Sequence, residues 1–95
     1  MAIDKTGRTW AIPSADASTS TPVWNDRVLI KKLSWLSPQT SGDDVIVKDT
    51  EGRVIWQRKA QAVGDGILYT FDVDNWHKGL LAHTIDSGTL YVEIG

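Results

Sequence analysis

Short runs in which apolar and polar residues alternate one for one, closed by glycine-containing turns, constrain this chain's fold more than any other feature. ILYTFDV (67–73) sets Ile67, Tyr69, Phe71 and Val73 on one face and Leu68, Thr70 and Asp72 on the other. TLYVEI (89–94) sets Leu90, Val92 and Ile94 against Thr89, Tyr91 and Glu93. Successive strand side chains point to opposite faces, so a period of two buries one face of a β-strand and cannot do so on a helix. DVIVKDTEGRVIWQRKA (44–60) reads as a hairpin, with Val45 and Val47 alternating against Ile46, and Val54, Trp56 and Arg58 against Ile55 and Gln57. Its turn falls at 50–52, where Gly52 can supply a positive φ.

Other segments carry weaker versions of the same pattern. RTWAIP (8–13) has the length of a short strand stopped by proline. SADASTSTP (14–22) is small and polar, and reads as a loop. In RVLIKKLSWL (27–36), Leu29, Leu33 and Trp35 share one face with Lys31, while Val28, Ile30 and Leu36 share the other with Lys32 and Ser34. Neither face is clean, but β-branched content favours a strand. DNWHKG (74–79) is expected to form a turn, or one helical turn capped by Asp74 or Asn75. LLAHTI (80–85) then returns, and a tight hairpin at Asp86-Ser87-Gly88 pairs it with the final TLYVEI. Only Glu93 places a charge in that last run, so its outer edge needs cover from another strand or another subunit.

Six to eight short strands about ten residues apart, without a convincing helix, give an all-β expectation: a small antiparallel β-sandwich, jelly-roll-like or immunoglobulin-like. Residues 1–22 form an N-terminal arm or a short strand plus a Ser/Thr-rich loop, and 23–95 a single domain. A length of 95 residues admits no more than one domain.

The charge pattern narrows the partners. Ten Lys and Arg stand against twelve Asp and Glu, for a net charge of −2. The basic residues are scattered, which disfavours a nucleic-acid partner. No apolar run approaches the ~20 residues of a membrane helix, and MAIDKTGRTW does not read as a secretory leader. A soluble, uncleaved product is expected. With no cysteine, disulfides and zinc–thiolate sites are excluded.

Motifs for chemistry are sparse. There is no phosphate-binding glycine loop and no GxGxxG. His77 and His83, six apart, make a poor zinc pair and read better as a loop and a strand histidine. Ser87, His83 and Asp86 could be assembled on paper into a nucleophilic triad, but their closeness around one turn gives no reason to expect its geometry. Asp72, Asp74 and Asn75 place oxygen ligands at i, i+2 and i+3. They lack the later glycine and glutamate of an EF-hand loop, so turn formation and capping are the simpler roles. No catalytic residue, metal site or cofactor is expected, and the chain does not read as an enzyme.

The five tryptophans are the unusual feature. Each brings a large apolar body and one N–H that needs an acceptor. Trp35 and Trp56 sit within strand patterns and are expected in the core. Trp10, Trp24 and Trp76 lie near proline, loops or a turn, and with Tyr91 they are the candidate protein-interface residues. Exposed aromatics also serve as sugar-stacking platforms, which keeps a carbohydrate or receptor-binding module as an alternative.

The layout resembles small accessory proteins encoded among the virion genes of tailed bacteriophages. The resemblance is carried by GRTWAIPSADA near the start, VLIKKLSWL after the Ser/Thr-rich loop, the hairpin VIVKDTEGRVIWQ and the closing WHKGLLAHTIDSGTLYVEIG. It covers most of residues 7–95 and is one of layout and composition. It implies a β-sandwich component of the virion, assembled in the host cytoplasm: a capsid decoration or cement protein, or a tail or tail-fibre subunit. The implied partners are copies of itself and a larger structural protein such as a major capsid protein. No binding residue transfers from the resemblance, because no motif marks one.

Overall fold

The computed structural model describes residues 8–95. Six strands are present among them: β1 (Thr9–Pro13), β2 (Trp24–Leu36), β3 (Asp44–Lys48), β4 (Val54–Lys59), β5 (Leu68–Ile85) and β6 (Thr89–Ile94). The only helical element among the described residues is a 3-10 turn at Ser14–Asp16. All pairings are antiparallel, in the order β1-β6-β2-β5-β3-β4. The all-β expectation holds. The pairing gives one sheet rather than two, because β5 belongs to both halves: residues 68–80 pair with β2, and 81–85 with β3.

β5 is where local reading and structure part. The turn expected at 74–79 is absent, and one strand of 18 residues runs through it. Asn75, Trp76, His77 and Lys78 stand opposite Ile30, Leu29, Val28 and Arg27 of β2, so sheet pairing replaces the helical turn. The left-handed backbone at Asp74 (φ 45°) and Gly79 (φ 86°) kinks the strand without reversing it. Gly79 is required sterically as well, since a Cβ there would meet Thr50 and lie 2.7 Å from the Trp24 carbonyl oxygen.

The terminal hairpin is also corrected. β6 does not pair with residues 80–85; it lies between β1 and β2, with Trp10 opposite Val92 on one side and Leu33 opposite Val92 on the other. The neighbourhood of residues 80–85 is already occupied. β3 takes one side, and the loop before β2 takes backbone bonds from Ser18 N–H to the Ala82 carbonyl (2.9 Å) and Val23 N–H to the Leu80 carbonyl (2.8 Å). The 86–88 link instead crosses to β6, held where the Trp35 indole N–H donates to the Ser87 carbonyl at 2.7 Å. The last strand is therefore covered on both edges by its own chain.

β2 explains its mixed faces by a register shift between Ile30 and Lys32, present against both β5 and β6. An irregularity of this kind breaks the period of two once. Val28 and Ile30 before it, and Leu33 and Trp35 after it, are all buried, while Lys31 and Lys32 stay out of the core. The β3–β4 hairpin forms as expected. Buried Asp49 closes it by accepting the Glu51 and Arg53 N–H groups, each at 2.9 Å, and Gly52 takes φ 87°.

The core joins Trp10 and Ile12 of β1, Leu90 and Val92 of β6, the four β2 residues, Val45, Val47 and Trp56 of the hairpin, and Leu80, Ala82 and Ile85 of β5. Side chains of β4 reach the first half of β5: Trp56 stacks on Phe71 with centroids 6.0 Å apart, and the Arg58 guanidinium lies 4.9 Å from the Tyr69 ring centroid. Of the expected N-terminal arm, residues 9–13 are an integral strand, and the loop after it is tacked to β5. The part of that expected arm before residue 8 lies outside the described residues.

Candidate binding surface

The four aromatic residues singled out from sequence do not form one patch. Trp10 is only 4% exposed and belongs to the core, its ring 5.3 Å from that of Trp24. The burial follows from β1 being an integral strand, which turns Trp10 inward beside Ile12. Trp24 and Trp76 are 38% and 52% exposed. Tyr91 is half-buried and stands opposite Ser34 of β2, whereas Trp76 stands opposite Leu29. Those β2 positions are roughly 16 Å apart at about 3.3 Å per residue.

Trp76 is the best-defined element of the surface. The Arg27 guanidinium carbon lies 5.1 Å from its ring centroid, a distance at which the cation is attracted to the π face. The sheet makes this neighbourhood by pairing β2 and β5, which sets Arg27 beside Lys78 and Leu29 beside Trp76. Further along, Lys31 Nζ reaches Asp74 Oδ1 at 2.8 Å. The hydrogen bond to Asp74, and then its charge, hold the Lys31 ammonium above its usual pKa of 10.5. Both side chains are exposed, so solvent and salt weaken the pair. The result is an indole in a rim of mixed charge. Trp and Arg together are enriched at binding hot spots.

Sequence reasoning missed Arg27 and the exposure of Phe71. ILYTFDV alternates as expected, and Tyr69 and Val73 pack on the core. Phe71 stays largely exposed because Trp56 is its stacking partner beside a half of β5 that has one strand neighbour. The Arg27–Trp76 contact joins residues 49 positions apart, and no local signal pointed to it.

The residues weighed for chemistry have other partners. Ser87 Oγ donates to Asp43 Oδ2 at 2.6 Å, Asp86 Oδ2 accepts the Asp44 N–H at 2.8 Å, and His83 Nδ1 is 2.8 Å from Thr84 Oγ1. The three are therefore not linked into a nucleophile, base and orienting acid. Asp74 is engaged by Lys31, and among the described residues no three His, Cys, Asp or Glu side chains are grouped to hold a metal. No helix among the described residues is long and apolar enough to cross a membrane. No protein-family model, curated protein or solved structure matches the chain.

Proposed function

We propose that this chain is a non-enzymatic structural protein of a virion, a decoration or cement protein that docks on a larger head protein such as a major capsid protein. The observation that carries the docking reading is the exposed Trp76 indole, with Arg27 over its ring, on the paired strands β2 and β5. A buried tryptophan contributes to its own fold. One held out on a strand by its neighbours is pre-organised for a partner, and ordering it on binding costs little. The layout of the sequence supplies the virion setting. A protein that binds only the assembled lattice stabilises it by mass action, and many equivalent sites multiply that effect.

The experiment mixes the purified chain with particles lacking it and measures binding stoichiometry and survival on heating. Saturable binding to heads with improved survival is the expected outcome, and Trp76→Ala weakens that binding by about 2 kcal/mol or more if the indole fills a central pocket. Binding confined to tails or fibres moves the assignment there. Selective glycan binding without particle association replaces it by a carbohydrate-binding module.

A further inference from the structure

Around Trp76, the fold answers the charge of two basic side chains and leaves that of a third unanswered. On the β2–β5 ladder Arg27 stands opposite Lys78, and Leu29 stands opposite Trp76 two residues along. Like charges opposite each other on a strand pair repel. Lys78 Nζ reaches Glu51 at 3.5 Å and Lys31 Nζ reaches Asp74 at 2.8 Å, so both ammonium groups have an acid beside them. Arg27 is in no ion pair among the described residues, although Asp26 precedes it in the chain. Its contact is the Trp76 ring, with the guanidinium carbon 5.1 Å from the centroid. An aromatic face attracts a cation yet carries no net charge, so the contact holds the guanidinium in place without neutralising it. Arg27 is exposed, and its planar fork of N–H donors is open to an anion.

The number of unanswered charges selects the anion. Nucleic acids and anionic membranes are held by several basic groups acting together, whereas the described residues of this surface offer one. A single carboxylate matches a single guanidinium, which can meet both oxygens with two parallel N–H groups. Beside Arg27, the exposed Trp76 indole and the half-buried Leu29 offer apolar area to whatever residue neighbours that carboxylate. We infer that the partner segment received at this surface carries an aspartate or glutamate that pairs with Arg27, next to an apolar side chain that lies on Trp76. This names the chemistry of the partner and rests on the docking reading above.

The test follows the Trp76 indole N–H and Arg27 Nε–H signals of the full chain by NMR as heptapeptides are added. One peptide carries a glutamate beside a leucine, a second has glutamine in place of that glutamate, and a third has phosphoserine there. The glutamate peptide is expected to shift both signals with a Kd of about 1 mM, the weak end of the affinity scale. It binds at least about tenfold more tightly than the glutamine peptide, and salt weakens only the glutamate peptide. Arg27→Gln removes the preference between the two, Arg27→Lys retains part of it because the charge stays without the fork, and Trp76→Ala weakens both peptides alike. Equal binding of the two peptides, a preference that survives Arg27→Gln, or no shift from any peptide up to about 10 mM overturns the inference. So does a phosphoserine peptide bound at least about tenfold more tightly than the glutamate one, since the site would then be built for a dianion. Particle binding that Arg27→Gln leaves unchanged also overturns it, while docking itself stands. Glutamate-dependent peptide binding with no particle association does the reverse: the docking reading fails and the carboxylate site stands.

Discussion

Placing a methyl group on Gly79 tests the kink on which the path of β5 depends. Three costs can be worked out. Gly79 sits at φ 86°, and a left-handed backbone costs an L-residue roughly 1–2 kcal/mol. The new Cβ would overlap the Thr50 side chain. Rotating Thr50 away breaks the hydrogen bond from its hydroxyl to the Lys78 carbonyl, about 1 kcal/mol. The Cβ would also lie 2.7 Å from the Trp24 carbonyl oxygen, which cannot rotate away and moves only by disturbing the Trp24–Leu80 pairing, about another 1 kcal/mol. Gly79→Ala is thus expected to lose about 3–4 kcal/mol, a large part of the ~5–14 kcal/mol typical of a domain this size. Gly52→Ala is the control. Its φ is 87° and a Cβ there meets nothing within 4 Å, so only the backbone cost of about 1–2 kcal/mol applies. Urea unfolding followed by tryptophan fluorescence gives both values. Equal losses, within about 0.5 kcal/mol, would show that close approach plays no part at Gly79 and refute the account of the kink.

Three further outcomes follow from contacts described above. Trp35→Phe keeps most of the buried ring but leaves the Ser87 carbonyl without its indole donor; a loss of about 1–3 kcal/mol is expected in the same assay, against about 3–5 kcal/mol for Trp35→Ala. Tyr69→Phe removes the hydroxyl that accepts from the Gln61 and Ala62 N–H groups and donates to the Ala62 carbonyl. Hydrogen exchange at those two amides should accelerate while exchange in β6 is unchanged. For Lys31, the folded pKa is raised, so its stabilising pairing with Asp74 is complete below the ordinary lysine value and is lost as pH rises through the folded value. The stability difference between wild type and Lys31→Met should therefore shrink above pH 10.5 and in high salt, and a difference that grows with pH would contradict the pairing.

Local signals in the sequence determined the class of structure and much of the hairpin. Alternation in 44–48, 54–59 and 89–94 required strands because only a period of two buries Val45, Val47, Trp56, Leu90 and Val92 together. The 49–53 turn was legible for the same reason, since Asp49 and Gly52 act on their own neighbours. Of the surface, the exposure of Trp24 and Trp76 was expected, but for Trp76 it rested on a turn at 74–79 where the chain is strand, and the same reasoning failed for the buried Trp10. Apart from the β3–β4 hairpin, tertiary structure decided which strands pair. β6 reached β1 and β2 because the space beside 80–85 was already filled by β3 and the 18–23 loop, a competition invisible in either segment alone. The two faces of β2 became one buried set through a register shift shared with both neighbouring strands. Trp10 moved into the core once β1 joined β6, and Arg27 met Trp76 only across the β2–β5 ladder. Strand identity is a property of residues one and two apart, whereas pairing, register and edge exposure depend on backbone partners brought together from tens of residues away.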